Sequence, residues 1–348
     1  MNICHRMNQR NYLFLLCLIW PFVGKAQIGG ETTYQFLELT NSARIAALGG
    51  TQIALEDSTD LNLAAYNPAS LHHSMSNQLL VNYVNYLADV NYGYAAYAPV
   101  FPLPGNLAVG MHYINYGNFR EALETGELTG NYFNAAEYAL NIIYSNQYHR
   151  LRYGVNLKPV YSVFESYWSM GVAADLGISY SSKDHSTNIA LTARNVGGQI
   201  TTYYEDGNRE PIPFNLQAGI STQLEHAPVV LGLTMQHLTN WDLSWDDSEE
   251  EPTLENWNER QESFGKQLLR HAVFGVEILP SQNFIIRAGY NYQRRQELKY
   301  EERLSTVGLS VGFGIRIKRF SFDFATSRYH LAGSSNLFSL AVNLNERF

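Results

Sequence analysis

The sequence predicts an all-β protein: a transmembrane antiparallel β-barrel of about fourteen strands, preceded by a short N-terminal plug or hatch segment. Three observations predict it. The first is period-two alternation over stretches long enough to cross a bilayer. In TVGLSVGFGIRIK, residues 306–318, Val307, Leu309, Val311, Phe313, Ile315 and Ile317 share one face of an extended chain. Thr306, Gly308, Ser310, Gly312, Gly314, Arg316 and Lys318 share the other. A soluble strand usually stops after about five or six residues, whereas a tilted membrane strand needs roughly nine to eleven. The second is composition: 24 Tyr and 17 Phe suit interfacial girdles, 26 Gly suit crowded inward faces, and a mean hydropathy of −0.23 averages a lipid face with a polar lumen face. The third is the connections, which alternate short and long as periplasmic turns and external loops do in outer-membrane barrels, except for the first, at Leu87 to Asp89, which reads as a tight external hairpin.

Residues 1–26 read as a secretory signal peptide. Arg6 and Arg10 precede an apolar run from Tyr12 to Val23, and Gly24-Lys25-Ala26 places small residues where a signal peptidase inspects them. Acylation of Cys17 is the competing reading, and the bulky Leu15 and Leu16 before it speak against it. Cleavage after Ala26 removes 26 of 348 residues and both cysteines, Cys4 and Cys17, so the exported chain has no thiol chemistry. It also removes three cations and no acid, which takes the formal charge from −8 to −11. So acidic a chain does not suit a nucleic-acid partner.

Residues 27–77 lack sustained alternation and form the plug or hatch. A short helix is expected around Ser42 to Leu48, capped by Asn41 and stopped by Gly49-Gly50. In AAYNPASL, Pro68 is expected to end local structure. The barrel then occupies 78–348, with strands over 78–87, 89–99, 106–116, 135–145, 149–161, 168–181, 186–196, 212–224, 227–237, 270–280, 282–293, 304–317, 319–329 and 337–348. Even-numbered connections are short, as in NQYHR and PSQ; the odd ones include 117–134, 197–211, 238–269 and 294–303. The last strand ends on Phe348, a terminal aromatic similar to the targeting signal of outer-membrane barrels.

FLELTNSARIAALGGTQIAL, followed by AAYNPASL just before the first strand, resembles the N-terminal region of the PorV and PorQ proteins, which belong to the FadL-like outer-membrane barrels. Asn67, Pro68 and Ala69 match the NPA element of that family's hatch. The resemblance implies a fourteen-strand barrel. It also implies membership of the type IX secretion system attachment complex, with a PorZ-like cell-surface protein as partner and PorU- or PorV-like members beside it.

No GxSxG elbow, HExxH helix, P-loop or paired CxxC occurs, so no catalytic residue, cofactor or metal is assigned. His72-His73 lacks a third ligand and reads as a turn beside the wall. Gly308, Gly312 and Gly314 read as packing glycines inside a strand. The loop 239–267 gathers Trp241, Trp245 and Trp257 among many carboxylates. Carboxylates explain a solvated loop; three large rings in it suit anchors for a protein partner. Lys158, Asp175, Arg194, Glu277, Arg287, Arg316, Lys318 and Asp323 are expected to face the lumen, where charges avoid hydrocarbon and fill the interior.

Two functions follow. One is a noncatalytic outer-membrane anchor that positions a surface protein for secretion and attachment, with outer-membrane lipid around it. The other is a FadL-type transporter of hydrophobic compounds, which needs an apolar path and a strand kink; Pro159 and Gly197-Gly198 are the candidates.

Overall fold

A computed structural model describes residues 32–87, 90–123, 125, 127–205, 207–243, 263–298, 306–330 and 333–345. Fourteen antiparallel strands close into a barrel: β1 (Gln78–Asn85), β2 (Asn91–Ala98), β3 (Asn106–Ala122), β4 (Leu128–Tyr148), β5 (Leu151–Phe164), β6 (Tyr167–Ser181), β7 (Thr187–Thr201), β8 (Asn215–Gln223), β9 (Val229–Met235), β10 (Ala272–Ser281), β11 (Phe284–Asn291), β12 (Leu309–Ile317), β13 (Phe320–His330) and β14 (Gly333–Asn343). Each strand pairs with its sequence neighbours, and β1 closes on β14 from Gln78↔Asn343 to Asn85↔Asn336. Closure leaves no edge within the membrane, so every strand can satisfy its backbone without water.

Alternation explains which side chain goes where. In β5, Leu151, Tyr153, Val155, Leu157 and Tyr161 are exposed on the outer wall, while Arg152, Asn156, Lys158 and Ser162 are buried in the lumen. The same holds in β6 for Met170, Val172, Leu176 and Ile178 against Ser169, Ala173, Asp175 and Ser179. Short turns such as 149–150, 182–186 and 282–283 mark the periplasmic end.

Several boundaries depart from the sequence expectation. β12 starts at Leu309, because Gly308 turns at φ +86° and Val307 is fully buried before it; neither belongs to the strand. Lys318 sits exposed in the β12–β13 turn at φ 49°, outside the lumen. β8 starts at Asn215, and Ile212 packs into the core instead. The expected loop 117–134 is mostly strand: β3 and β4 pair on through Phe119↔Phe133 to Ala122↔Leu128, beyond Asn115, where β2 has ended. This ribbon stands above the external rim. Phe348 and the signal segment 1–26 lie outside the described residues.

Residues 32–77 fold inside the barrel. The helix α1 (Ala43–Ala47) is capped by Ser42, whose hydroxyl accepts from the Ile45 amide, and not by Asn41. Gly49 and Gly50 stop it with φ near +101° and +103°. Pro68 opens a 3-10 turn, Pro68–Ser70, in place of ending one: its fixed φ suits the first helical position, and Asn67 caps it from the Ala69 amide at 3.0 Å. Two short helices lie on the external side, α2 (Phe264–His271) and α3 (Tyr292–Glu297). No helix among the described residues is long and apolar enough to cross a membrane, which says nothing of strands.

Candidate functional site

The plug is irregular backbone at membrane depth, so its polar groups must find partners inside the barrel. Inward-facing side chains supply them. The Ala43 amide donates to Ser339 Oγ at 3.0 Å, Ser145 Oγ donates to the Leu71 carbonyl at 2.7 Å, and Asn188 and Ser221 donate to the Ala54 carbonyl at 2.7 and 2.6 Å. Apolar contact completes the fit. Phe36, Leu37, Ala43, Ala46 and Ala47 share a buried cluster with Val84, Tyr92, Ile114 and Leu337 of the wall.

One ion-pair network fixes the centre of the plug. Arg44, on α1, clasps Glu277 of β10 through two bonds, Nε to Oε1 and Nη2 to Oε2, each 2.8 Å. Its Nη1 meets Asp57 at 2.7 Å and Asp60 at 3.0 Å. Arg287 ties Glu277 (2.7 Å) to Asp323 (2.5 Å), and Arg316 holds Asp57 at 2.5 Å. Burial pushes the Asp57 carboxyl up, but Arg44 and Arg316 more than reverse this and hold it well below the usual range. A second pair, Lys158–Asp175 at 2.6 Å, sits on the opposite wall beside Arg194, which lies 5.5 Å from the Tyr66 ring centroid. Seven of the eight expected lumen charges therefore face inward, and Lys158, Asp175, Glu277, Arg287, Arg316 and Asp323 are ion-paired.

The Asn67-Pro68-Ala69 element has a seat. Asn67 Nδ2 donates to the Ile53 carbonyl at 2.8 Å and to Ser179 Oγ at 2.9 Å. Beneath it lie Gly154 and Gly177, paired across β5 and β6. A Cβ on Gly154 would stand 2.5 Å from the Pro68 carbonyl, and one on Gly177 would overlap Asn67 Oδ1. The lumen space bounded by Leu37, Tyr66, His112, Asn141, Lys158 and Arg194 measures about 20 Å³, room for roughly one water.

The wall has two irregularities beside that space. The β4–β5 ladder skips from Ala139↔Val160 to Ile142↔Leu157, across Pro159, which has no N–H to donate. In β7 the register shifts opposite Ala174–Leu176, where Asn195 takes φ 57° and both Arg194 and Asn195 point inward. Gly197-Gly198 follows that bulge without carrying it.

At the external rim Trp241 is 43% exposed, with its ring 5.2 Å from Phe264 and 5.3 Å from His271. Phe264, Leu268 and Leu269 of α2 extend this apolar surface. Trp245 and Trp257 lie outside the described residues. The ribbon adds exposed Phe119, Leu123, Leu128 and Tyr132, a surface that the reading of 117–134 as a loop concealed. A period-two test across 117–134 would have found the aromatic pair but not its protrusion.

At the periplasmic mouth His72 accepts from Arg152 Nη1, and Glu56 meets Arg152 at 3.2 Å and accepts from Ser181 Oγ at 2.8 Å. Burial first, and Arg152 second, lower the His72 pKa to about 4. A depressed folded pKa favours the neutral form, so this contribution is complete above the ordinary His value of about 6.5 and is lost as pH falls toward 4. Cleavage of the plug by an acid-tolerant protease is expected to rise across that window, and His72→Asn is expected to flatten the rise. An unchanged pH profile in His72→Asn would remove His72 from the seat. Among the described residues no three His, Cys, Asp or Glu side chains are grouped to hold a metal.

The fold and plug define the class: a plugged, closed outer-membrane β-barrel of fourteen strands. No family model and no curated protein matches the chain. Solved structures do. The deltaS2 mutant of the TodX monoaromatic hydrocarbon channel is similar at TM-score 0.51 and 14% identity, covering 88% of this chain and 98% of its own. The deltaS2S3 mutant of TodX gives 0.52 and 14%, covering 87% and 99%. The Ralstonia pickettii toluene transporter TbuX gives 0.48 and 14%. At these identities the likeness to TodX shows a shared barrel fold.

Proposed function

We propose that this protein is a sealed, noncatalytic outer-membrane scaffold whose external face holds a surface-exposed protein. The observation that supports this reading is the plug, packed and ion-paired to the wall, with about 20 Å³ left beside Lys158 and Arg194. A lumen of paired charges offers a hydrocarbon no apolar path. The N-terminal resemblance supplies the finer form: a PorQ-like barrel of the type IX secretion attachment complex, holding a PorZ-like protein with PorU- or PorV-like members nearby. Trp241, with Trp245 and Trp257, is the anchor assigned to that partner.

The second reading is a FadL-type transporter of hydrophobic compounds, and the fold comparisons favour it over the first. TodX channels carry the shared fold, and the β4–β5 ladder lacks pairing across Pro159 beside the lumen space. Mass spectrometry of the tagged protein, extracted from its native outer membrane in mild detergent, decides between them. A stoichiometric surface protein, lost when Trp241, Trp245 and Trp257 are all changed to Ala while the barrel stays heat-modifiable on gels, is the expected result. A lone barrel that carries bound lipid and takes a monoaromatic hydrocarbon into liposomes would replace the scaffold with the transporter.

A further inference from the structure

We propose that Arg152 forms an oxyanion-binding site in the periplasmic mouth, where it takes the phosphate or carboxylate head of an amphiphile. This goes beyond both functional readings and depends on neither. Arg152 rises from the start of β5 and is 4% exposed. Its Nη1 is used, by Glu56 at 3.2 Å and by His72. Its Nε and Nη2 are buried and have no protein acceptor among the described residues.

Those two nitrogens are not equivalent to any other unused pair. In a guanidinium, Nε–H and Nη2–H lie parallel along one edge and match the two oxygens of a carboxylate or phosphate. The same molecule uses that edge elsewhere: Arg44 clasps Glu277 through Nε and Nη2, each at 2.8 Å. Arg152 has the same fork, and no protein group among the described residues accepts from it. A role confined to pinning the plug would be met by Nη1 alone, since Glu56 is held as well by Ser181 Oγ at 2.8 Å. Charged donors left unmade in an interior are costly, so the open fork calls for an acceptor.

The surroundings state what kind. Arg152 lines a cavity of about 400 Å³ between the plug and the wall. Asn106 and Gln147 line its polar side, and Leu71, Phe101 and Leu103 its apolar side. Leu103 and its neighbour Val100 are 63% and 61% exposed in the 99–105 turn, an apolar lip at the periplasmic membrane interface. Glu56 neutralises Arg152 and opposes an anion. The two adjoining turns, joined by the Ser181 amide to the Arg150 carbonyl at 3.2 Å, carry Arg150 and Lys183 together with Asp184, so charges of both signs surround the mouth and recognition rests on the fork itself. The fork is screened from bulk water, so a lining side chain must turn aside for entry, and the bond then forms where water does not compete.

Calorimetric titration of the full chain in nonionic detergent tests the site with two probes, dodecyl phosphate and inorganic phosphate. Saturable binding of dodecyl phosphate is expected, weakened about tenfold or more in Arg152→Gln and partly recovered in Arg152→Lys, which keeps charge without the fork. Phe101→Ala with Leu103→Ser leaves Arg152 and the plug contacts in place. If it weakens only dodecyl phosphate, the ligand is a lipid head; if inorganic phosphate binds equally well and neither probe responds, it is a free oxyanion. Equal binding by wild type and a heat-modifiable Arg152→Gln, or no saturable binding of either probe, overturns the proposal.

Discussion

Replacing Arg44 with Met is expected to open the lumen while the barrel stays closed. Arg44 is 3% exposed and, among the described residues, is the one plug side chain that meets three carboxylates, Glu277, Asp57 and Asp60. Without it, Glu277 keeps Arg287 and Asp57 keeps Arg316, but Asp60 loses its cation and the two-bond clasp between plug and wall is gone. Removing one partner from a buried ionic group costs about 3–5 kcal/mol. The apolar side chains of α1 are three alanines and Ile45, so the lost clasp is comparable in size with what their packing supplies. The strand ladders do not pass through Arg44, so heat modifiability is expected to remain. Planar-bilayer conductance and protease cleavage within 32–77 are both expected to rise at neutral pH. In the wild type the Asp57 part of this network is expected to loosen only in stronger acid than the His72 contact: the folded Asp57 pKa is depressed, so its stabilisation is present above about pH 4 and is lost as pH falls further. Arg44→Lys, which keeps one charge and loses the fork, is expected to fall between the two. Wild-type conductance and protease resistance in Arg44→Met would mean that packing alone holds the plug.

The strands were legible because a barrel wall imposes one rule on every residue, apolar outward and polar or small inward, and the rule is local. All fourteen strands follow from it. It failed where period two continued without a ladder to serve, as at Val307 and Ile212, which keep the pattern but turn into the core. It failed again at 117–134, where polar residues on both faces hid a ribbon that has no lumen to enclose. The plug's secondary structure was partly legible from Gly49-Gly50. Its docking was not, because the partners of Arg44 lie 13 to 233 residues away along the chain. Glycines such as Gly154 and Gly177 could be read as small inward residues, but nothing local says which plug turn rests on them. Trp241 was chosen for its ring in an acidic loop; its contact with Phe264 and His271 depended on α2, which the sequence reading left inside a loop.

Filling the glycine seat should have an effect as large as removing Arg44, by the opposite route. Gly154 and Gly177 face each other across β5 and β6, and the Asn67-Pro68-Ala69 turn rests on both. The added Cβ atoms of a Gly154→Val, Gly177→Val double variant would meet main-chain atoms of Pro68 and Ala69 and the side chain of Asn67. A proline-started turn cannot yield by changing rotamer, and overpacking costs about 1–3 kcal/mol at each site. The ladder itself accepts valine, so the barrel is expected to fold and the plug to leave its seat, raising conductance and cleavage near Asn67. Gly198→Ala is the control, since a Cβ there meets nothing within 4 Å and should change neither reading. Asn67→Ala approaches the same seat from the plug side by removing the bonds to Ile53 and Ser179, and should reproduce a weaker form of the effect. Silence in both the double variant and Asn67→Ala would show that the NPA element is not what holds this end of the plug. If the double variant instead releases the plug yet still copurifies with whatever surface protein the wild type retains, that protein reads the external rim alone, and the plug serves to keep the barrel shut beneath it.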